Sequence, residues 1–184
     1  MLTIERKRML HLFKLAREAG AYDELPLLQP GIDPQLYLSR NDRPQPFYLL
    51  FEHDSVLIQL SGTGKVEFKD AQVRWHGVEP GDFVYIPAGT PHRILPTTEC
   101  VQVRVKAEHA GLEAVAWYCT DCGSELYRND WDTAQELPQE GFTRSCLAFN
   151  ASPRRCSRCG AEHPEVSLDG TRWPEIAAAL RQTP

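Results

Sequence analysis

Residues 81–92 read Gly81-Asp82-Phe83-Val84-Tyr85-Ile86-Pro87-Ala88-Gly89-Thr90-Pro91-His92. The run from Phe83 to Ile86 is aromatic and β-branched, with Gly81-Asp82 before it and a Pro/Gly cluster after it, which is the pattern of a brief strand between tight turns. The same punctuation recurs on both sides. Short segments of period two fall at 36–40, 47–51, 55–60, 64–68, 72–75, 83–86 and 100–106, and strands so short and so evenly spaced predict a β-sandwich or barrel. This β-rich core spans residues 35–108.

The flanks read differently. Thr3 is placed to cap a helix over residues 4–19 that Gly20 ends, and residues 1–34 form a helix and linker. Residues 109–184 make an extension with a polar, acidic loop around 129–141 and a last helix near 173–182, opened by Trp173-Pro174 with proline in its first turn.

Four of the six cysteines stand in that extension as two pairs, Cys119-Thr-Asp-Cys122-Gly123 and Cys156-Ser-Arg-Cys159-Gly160, separated by 33 residues. Two residues between thiols let one tight turn aim both sulfurs at a point, and the following glycine suits a backbone that passes close to sulfur. Two such turns facing each other close a tetrahedral four-thiolate site. With every position filled by sulfur its expected role is structural, and one zinc or rubredoxin-like iron ion is compatible. Cys100 and Cys146 read as buried apolar residues.

Composition narrows the class. A chain of 184 residues with 42% hydrophobic content can bury a real core, and a net charge of −5 with no dense basic stripe excludes nucleic acid as main partner. The chain contains no apolar run approaching the roughly 18 residues of a membrane span. Nor does MLTIERKRMLHLFKLAREAG carry the apolar block of a signal peptide. The expectation is a cytoplasmic protein without membrane contact, whose partner is a small molecule. Its four tryptophans read as packing residues.

Gly81-x5-Pro87-x-Gly89-x2-His92 resembles the second cupin motif at every fixed position, and Val56–Gly64 resembles the end of the first, where a strand turns at a glycine. Trp117-Tyr118-Cys119-x2-Cys122-Gly123, Phe149-x-Ala151-Ser152, Arg155-Cys156-x2-Cys159-Gly160 and His163-Pro164 resemble the C-terminal region of bacterial 3-hydroxyanthranilate 3,4-dioxygenase. The resemblance covers roughly residues 35–165. It implies a cupin jelly roll, an iron(II) site in the barrel that opens an aromatic ring with dioxygen, a rubredoxin-like iron on the four cysteines, and a homodimer.

The barrel half of that pattern is altered. Where the first motif calls for two histidines and a glutamate, the chain has Leu49, Phe51 and Ser55, so His92 alone matches the ligand set. The family's substrate contacts fall on Gln45, Pro96 and, after a small gap, near Arg104. Gln102, Arg104 and Lys106 alternate with Val101, Val103 and Val105, and a polar face turned inward would offer a cationic pocket for a carboxylate or phosphate.

Three readings of the pocket stay open. His92 and His53 could hold a rearranged metal site with Ser55, Glu52 or Asp54. His92 could be a pocket hydrogen-bonder, with His53 in solvent. Or His92, with His53 and Arg104 as partners, could be a general acid or base needing no metal. The functional expectation is a divergent cupin of this kind acting on a small carboxylated or aromatic metabolite. Its alternatives are a non-catalytic binding or accessory cupin and a true ring-cleaving dioxygenase.

Overall fold

The computed structural model describes residues 9–182. Eleven strands and three helices follow in the order α1 (Leu12–Glu18), β1 (Leu25–Pro26), β2 (Gln35–Asn41), β3 (Tyr48–Phe51), β4 (Ser55–Ser61), β5 (Gly64–Phe68), β6 (Trp75–Val78), β7 (Phe83–Ile86), β8 (His92–Pro96), β9 (Cys100–Lys106), β10 (Leu112–Tyr118), β11 (Glu125–Asp132), α2 (Pro138–Ala151) and α3 (Trp173–Arg181). The strands form two antiparallel sheets, ordered β1-β2-β9-β4-β7 and β11-β10-β3-β8-β5-β6. The chain crosses between the sheets at most connections from β3 to β10, so the two inner faces enclose one interior, as in a jelly roll.

Strand β9 is buried on both faces. Its valine face, with Val101 and Val103, packs under Leu38, Ala16 of α1 and Ile176 of α3, so helices cover the outside of that sheet. The alternate residues Gln102, Arg104 and Lys106 are then forced toward the barrel interior. That is why a strand carrying two cations can be central.

Several elements depart from the sequence expectation. Residues 9–11 are not helical and α1 runs Leu12–Glu18, with His11 at its N-cap providing no side-chain cap; Thr3 and residues 4–8 of the expected helix lie outside the described residues. The strand expected at 72–75 is displaced to Trp75–Val78, and β8 is an additional strand. The segment after residue 108 contributes two strands to the second sheet, with β10 paired to β3 from Glu113↔Phe51 to Ala116↔Tyr48. Strand β11, half of which was expected as loop, is an edge strand whose exposed Glu125, Arg128 and Asp130 are the charges that keep an edge from pairing further.

Helix α2 begins at Pro138, where a missing N–H costs nothing, and the Glu140 carboxylate accepts the Leu137 N–H at 2.9 Å. With α3 it closes one end of the barrel. Phe142 and Trp173 stand 5.4 Å apart and both pack on Phe47, while the Trp173 indole N–H donates to the Tyr22 carbonyl at 2.9 Å. Trp117, Trp131 and Trp173 are buried, whereas Trp75 is exposed. Cys100 and Cys146 are fully buried, as expected. Among the described residues no helix is long and apolar enough to cross a membrane.

Trp173 is the keystone of this closure. We expect Trp173→Ala to lower unfolding free energy in urea by about 3–5 kcal/mol; a loss below about 1 kcal/mol would mean that the terminal helix is not needed to shut the barrel.

Candidate functional site

His92 opens β8 opposite Leu49 of β3 and is fully buried. Its Nε2 lies 3.0 Å from Nη1 of Arg104, and its Nδ1 lies 3.1 Å from the Thr90 carbonyl. A guanidinium has only donors. Nε2 therefore accepts from Arg104, and Nδ1 carries the proton and donates it to Thr90. Burial first, and the Arg104 charge second, press the imidazolium down to a pKa of about 3, so the ring is neutral.

Arg104 passes the interaction on. Its Nε donates to Oε1 of Glu24 at 3.1 Å, and Nζ of Lys106 reaches Oε2 of Glu24 at 3.4 Å and Oε1 of Glu113 at 2.5 Å. Two cations and two carboxylates balance inside the barrel. Burial opposes the charge on Lys106, but Glu113 and Glu24 outweigh it and hold the ammonium above its ordinary range. Glu24 sits below its ordinary range because Lys106 and Arg104 overcome its burial. Glu113 stays above its ordinary range, burial prevailing over Lys106, and its Oε2 has no partner among the described residues. Phe51 lies 5.0 Å from the Arg104 guanidinium and 4.9 Å from the Lys106 ammonium, so at one first-motif position an aromatic face cushions cations.

Of the three open readings, these contacts give the rearranged metal site no support. His53 is exposed in the connection from β3 to β4 and does not join His92. Glu52 is committed to the Leu112 N–H at 2.6 Å, and Asp54 to the Tyr85 hydroxyl and the Ala88 N–H at 2.7 and 2.8 Å. Leu49 and Phe51 have no lone pairs to offer, and the lone pair of His92 is spent on a guanidinium. An iron(II) oxygenase site needs two imidazoles and a carboxylate on one face, and the barrel's donor set does not fit it.

The inward cationic face exists, but the chain's own carboxylates fill it. Glu24 arrives on a segment in which Tyr22 and Glu24 both adopt positive φ, 56° and 45°, a conformation costing a non-glycine residue about 1–2 kcal/mol. Gln139 holds it there, its Nε2 donating to the carbonyls of Asp23 and Glu24 at 3.0 and 2.9 Å. The space left beside Arg104, Gln45 and Leu49 is about 10 Å³, room for about one water. Gln45 is occupied too, accepting the Ile94 N–H at 3.2 Å. Glu24 and Glu113 carried no motif; the alternation of Glu113, Val115 and Trp117 on one face of β10 was the one signal of an inward carboxylate.

The four cysteines do converge. The sulfurs of Cys119, Cys122, Cys156 and Cys159 all lie within 4.8 Å of one another, close to the spacing of about 3.8 Å that a tetrahedral ion with 2.3 Å bonds to sulfur imposes. The two turns are near copies. Gly123 N–H donates to the Cys119 carbonyl and Gly160 N–H to the Cys156 carbonyl, each at 2.9 Å, and both glycines have the positive φ, 72° and 80°, that the turn requires. The Ser124 hydroxyl, which the sequence did not flag, lies 3.1 Å from the sulfurs of both Cys122 and Cys156 and favours the thiolate at each. His163 lines a cleft beside β10, with its Nε2 buried and unpartnered.

No protein-family model and no curated protein sequence matches the chain. Among solved structures it is similar to an uncharacterized conserved protein with a double-stranded β-helix domain from Klebsiella pneumoniae, at 17% identity and TM-score 0.51 over 60% of this chain and 98% of that one. It also aligns with a cupin-2 domain protein from Shewanella frigidimarina, at 20% identity and TM-score 0.44 over 52% and 87%. A third is hydroquinone 1,2-dioxygenase from Sphingomonas sp. TTNP3, at 11% identity and TM-score 0.48 over 53% and 72%. At these identities the likeness is one of fold. The chain has the cupin-type jelly-roll fold, with a four-cysteine cluster in its C-terminal extension.

Two outcomes follow. Because the folded His92 titrates near 3 and the unfolded one near 6.5, only the unfolded state takes up the proton between those values, so acid removes stability over that window. Relative to His92→Gln, the wild type should lose about 1.4 kcal/mol per pH unit below pH 6.5. Comparing the pair cancels Asp23, which burial holds up to about 6 and which works in the opposite sense. A pH-independent difference would mean that His92 is solvated. For the cluster, Cys156→Ser should yield protein depleted of metal and prone to aggregate, since metal binding there is folding free energy; a stable, soluble, metal-free variant would contradict this.

Proposed function

We propose that this chain is a divergent relative of bacterial 3-hydroxyanthranilate 3,4-dioxygenase that has exchanged the barrel iron for an internal guanidinium and serves as a binding or accessory cupin rather than a ring-cleaving enzyme. The observation that carries this reading is the Arg104 N–H on Nε2 of His92 at 3.0 Å. In the related enzymes that imidazole position is a metal ligand; here a fixed cation of the chain occupies its lone pair, and Glu24 occupies the cation as a substrate carboxylate would. The relationship itself is supported by the paired Cys-x2-Cys-Gly turns and the Phe149-x-Ala151-Ser152 and His163-Pro164 landmarks between and after them.

Acid–base catalysis at His92 finds little support in this geometry. A ring whose pKa lies near 3 is far from the value that serves proton transfer at neutral pH, and the adjoining space of about 10 Å³ admits no substrate. Fold resemblance alone does not carry function, so the reading rests on the barrel's contents.

Elemental analysis of protein from iron-supplemented cells tests it. We expect one metal ion per chain, held by the cysteines and unchanged by His92→Gln, together with no oxygen uptake when 3-hydroxyanthranilate and iron(II) are added. A second metal that disappears in His92→Gln, accompanied by oxygen uptake, would restore the ring-cleaving assignment.

A further inference from the structure

Outside the barrel, the tail, the β2–β3 connection and strands β8, β10 and β11 of the second sheet leave a cleft of about 360 Å³ lined by, among others, Trp117, Phe149, Trp173, Arg43, Arg93 and His163. That volume falls in the range of about 300–1,000 Å³ typical of sites for small ligands. We propose that this cleft binds a small flat carboxylate, an aryl or indolyl acid. The inference extends the reading of the chain as a binding cupin, and it gives the ligand a site that the closed barrel does not.

The aromatic part follows from the walls. Trp117 stacks on Phe149 with centroids 4.4 Å apart and planes 3° from parallel, and Trp173 lines the same cleft. The three rings are almost wholly buried, so only their margins reach the cleft, and a flat guest ring meets such margins by edge contact.

The polar part follows from what the chain leaves unpaired. Nε1 of Trp117 and Nε2 of His163 are buried without a hydrogen-bond partner among the described residues. An indole N–H can only donate, and leaving it desolvated and unpaired is unfavourable, so a ligand oxygen would relieve it. His163 can take either role toward a ring hydroxyl or amine. Arg93 is anchored through Nε to Glu67 at 2.5 Å and lies over the Tyr48 ring at 4.7 Å. Its Nη groups have no partner among the described residues and are free for the two-point grip on a carboxylate that guanidinium favours. The other charges on the rim are spent: Arg43 binds Asp42 and the Asp169 carbonyl, and Glu165 pairs with Arg154. The groups left open are the Trp117 N–H, the Arg93 Nη donors and a histidine that can also donate, which favours a guest carrying carboxylate oxygens over a cationic one or one with a single hydroxyl.

Indole N–H resonances of the full chain, with Trp117 assigned by Trp117→Phe, provide the test. Titration with 3-hydroxybenzoate and with indole-3-acetate should shift the Trp117 resonance saturably. Arg93→Gln and His163→Ala should each weaken binding about tenfold, and neutral benzyl alcohol should bind at least about tenfold more weakly than the acids. No saturable shift, equal response to benzyl alcohol, or binding unaffected by Arg93→Gln would overturn the proposal. None of these results depends on the metal count, so a failure here is separable from a failure of the metal-free barrel.

Discussion

One hydrogen bond determines what the barrel can be: an arginine N–H pointing at the imidazole lone pair of His92. A lone pair accepts either a proton, a donor or a metal, and here a covalently tethered cation holds it. The bond makes further demands. A buried guanidinium is costly unless its charge is balanced and its donors are used, so Glu24 must enter the barrel. Lys106, one inward position further along β9, then needs Glu113 as well as Glu24. The ladder of charges is self-consistent, and removing any one member strands another.

The same ladder explains the architecture around it. Glu24 lies on a segment that a single parallel bridge, Ala21↔Arg40, ties to β2 ahead of β1 and that has two residues at positive φ, a conformation that persists only when the surroundings overdetermine it. Gln139 of α2 and Trp173 of α3 supply that constraint by bonding three successive carbonyls, Tyr22, Asp23 and Glu24. The tail is therefore more than a metal-binding appendage. Its helices hold the internal carboxylate in place, β10 brings Glu113, and the four-cysteine cluster ties the end of β10 to the chain that returns after α2. In an open cupin the barrel mouth would admit a ligand; here the mouth is closed by aromatic rings and a ligand-sized cleft lies outside, beside Trp117.

What could be read from the sequence was what local geometry forces on residue type. The turns of residues 81–92 and the two Cys-x2-Cys-Gly knuckles demand glycine, proline or cysteine at fixed spacing, so they were legible. The inward Gln102, Arg104 and Lys106 were legible from alternation. The carboxylates that fill the pocket were not, because Glu24 and Glu113 come from separate segments that only the fold brings to His92 and Arg104. Helix α2 was hidden by Pro138 and Gly141 in its first turn, and β11 by the charges proper to an edge strand. His53 shared the parity of an inward residue but falls where β3 has already ended, so alternation no longer governed it.

The most direct test of the account is the ¹⁵N spectrum of the His92 imidazole in protein grown with excess iron. The account predicts a neutral ring, protonated at Nδ1 and hydrogen-bonded at Nε2, unchanged from about pH 8 to about pH 5. An Nε2 signal shifted or broadened by a bound metal, or a ring that becomes imidazolium within that range, would contradict it.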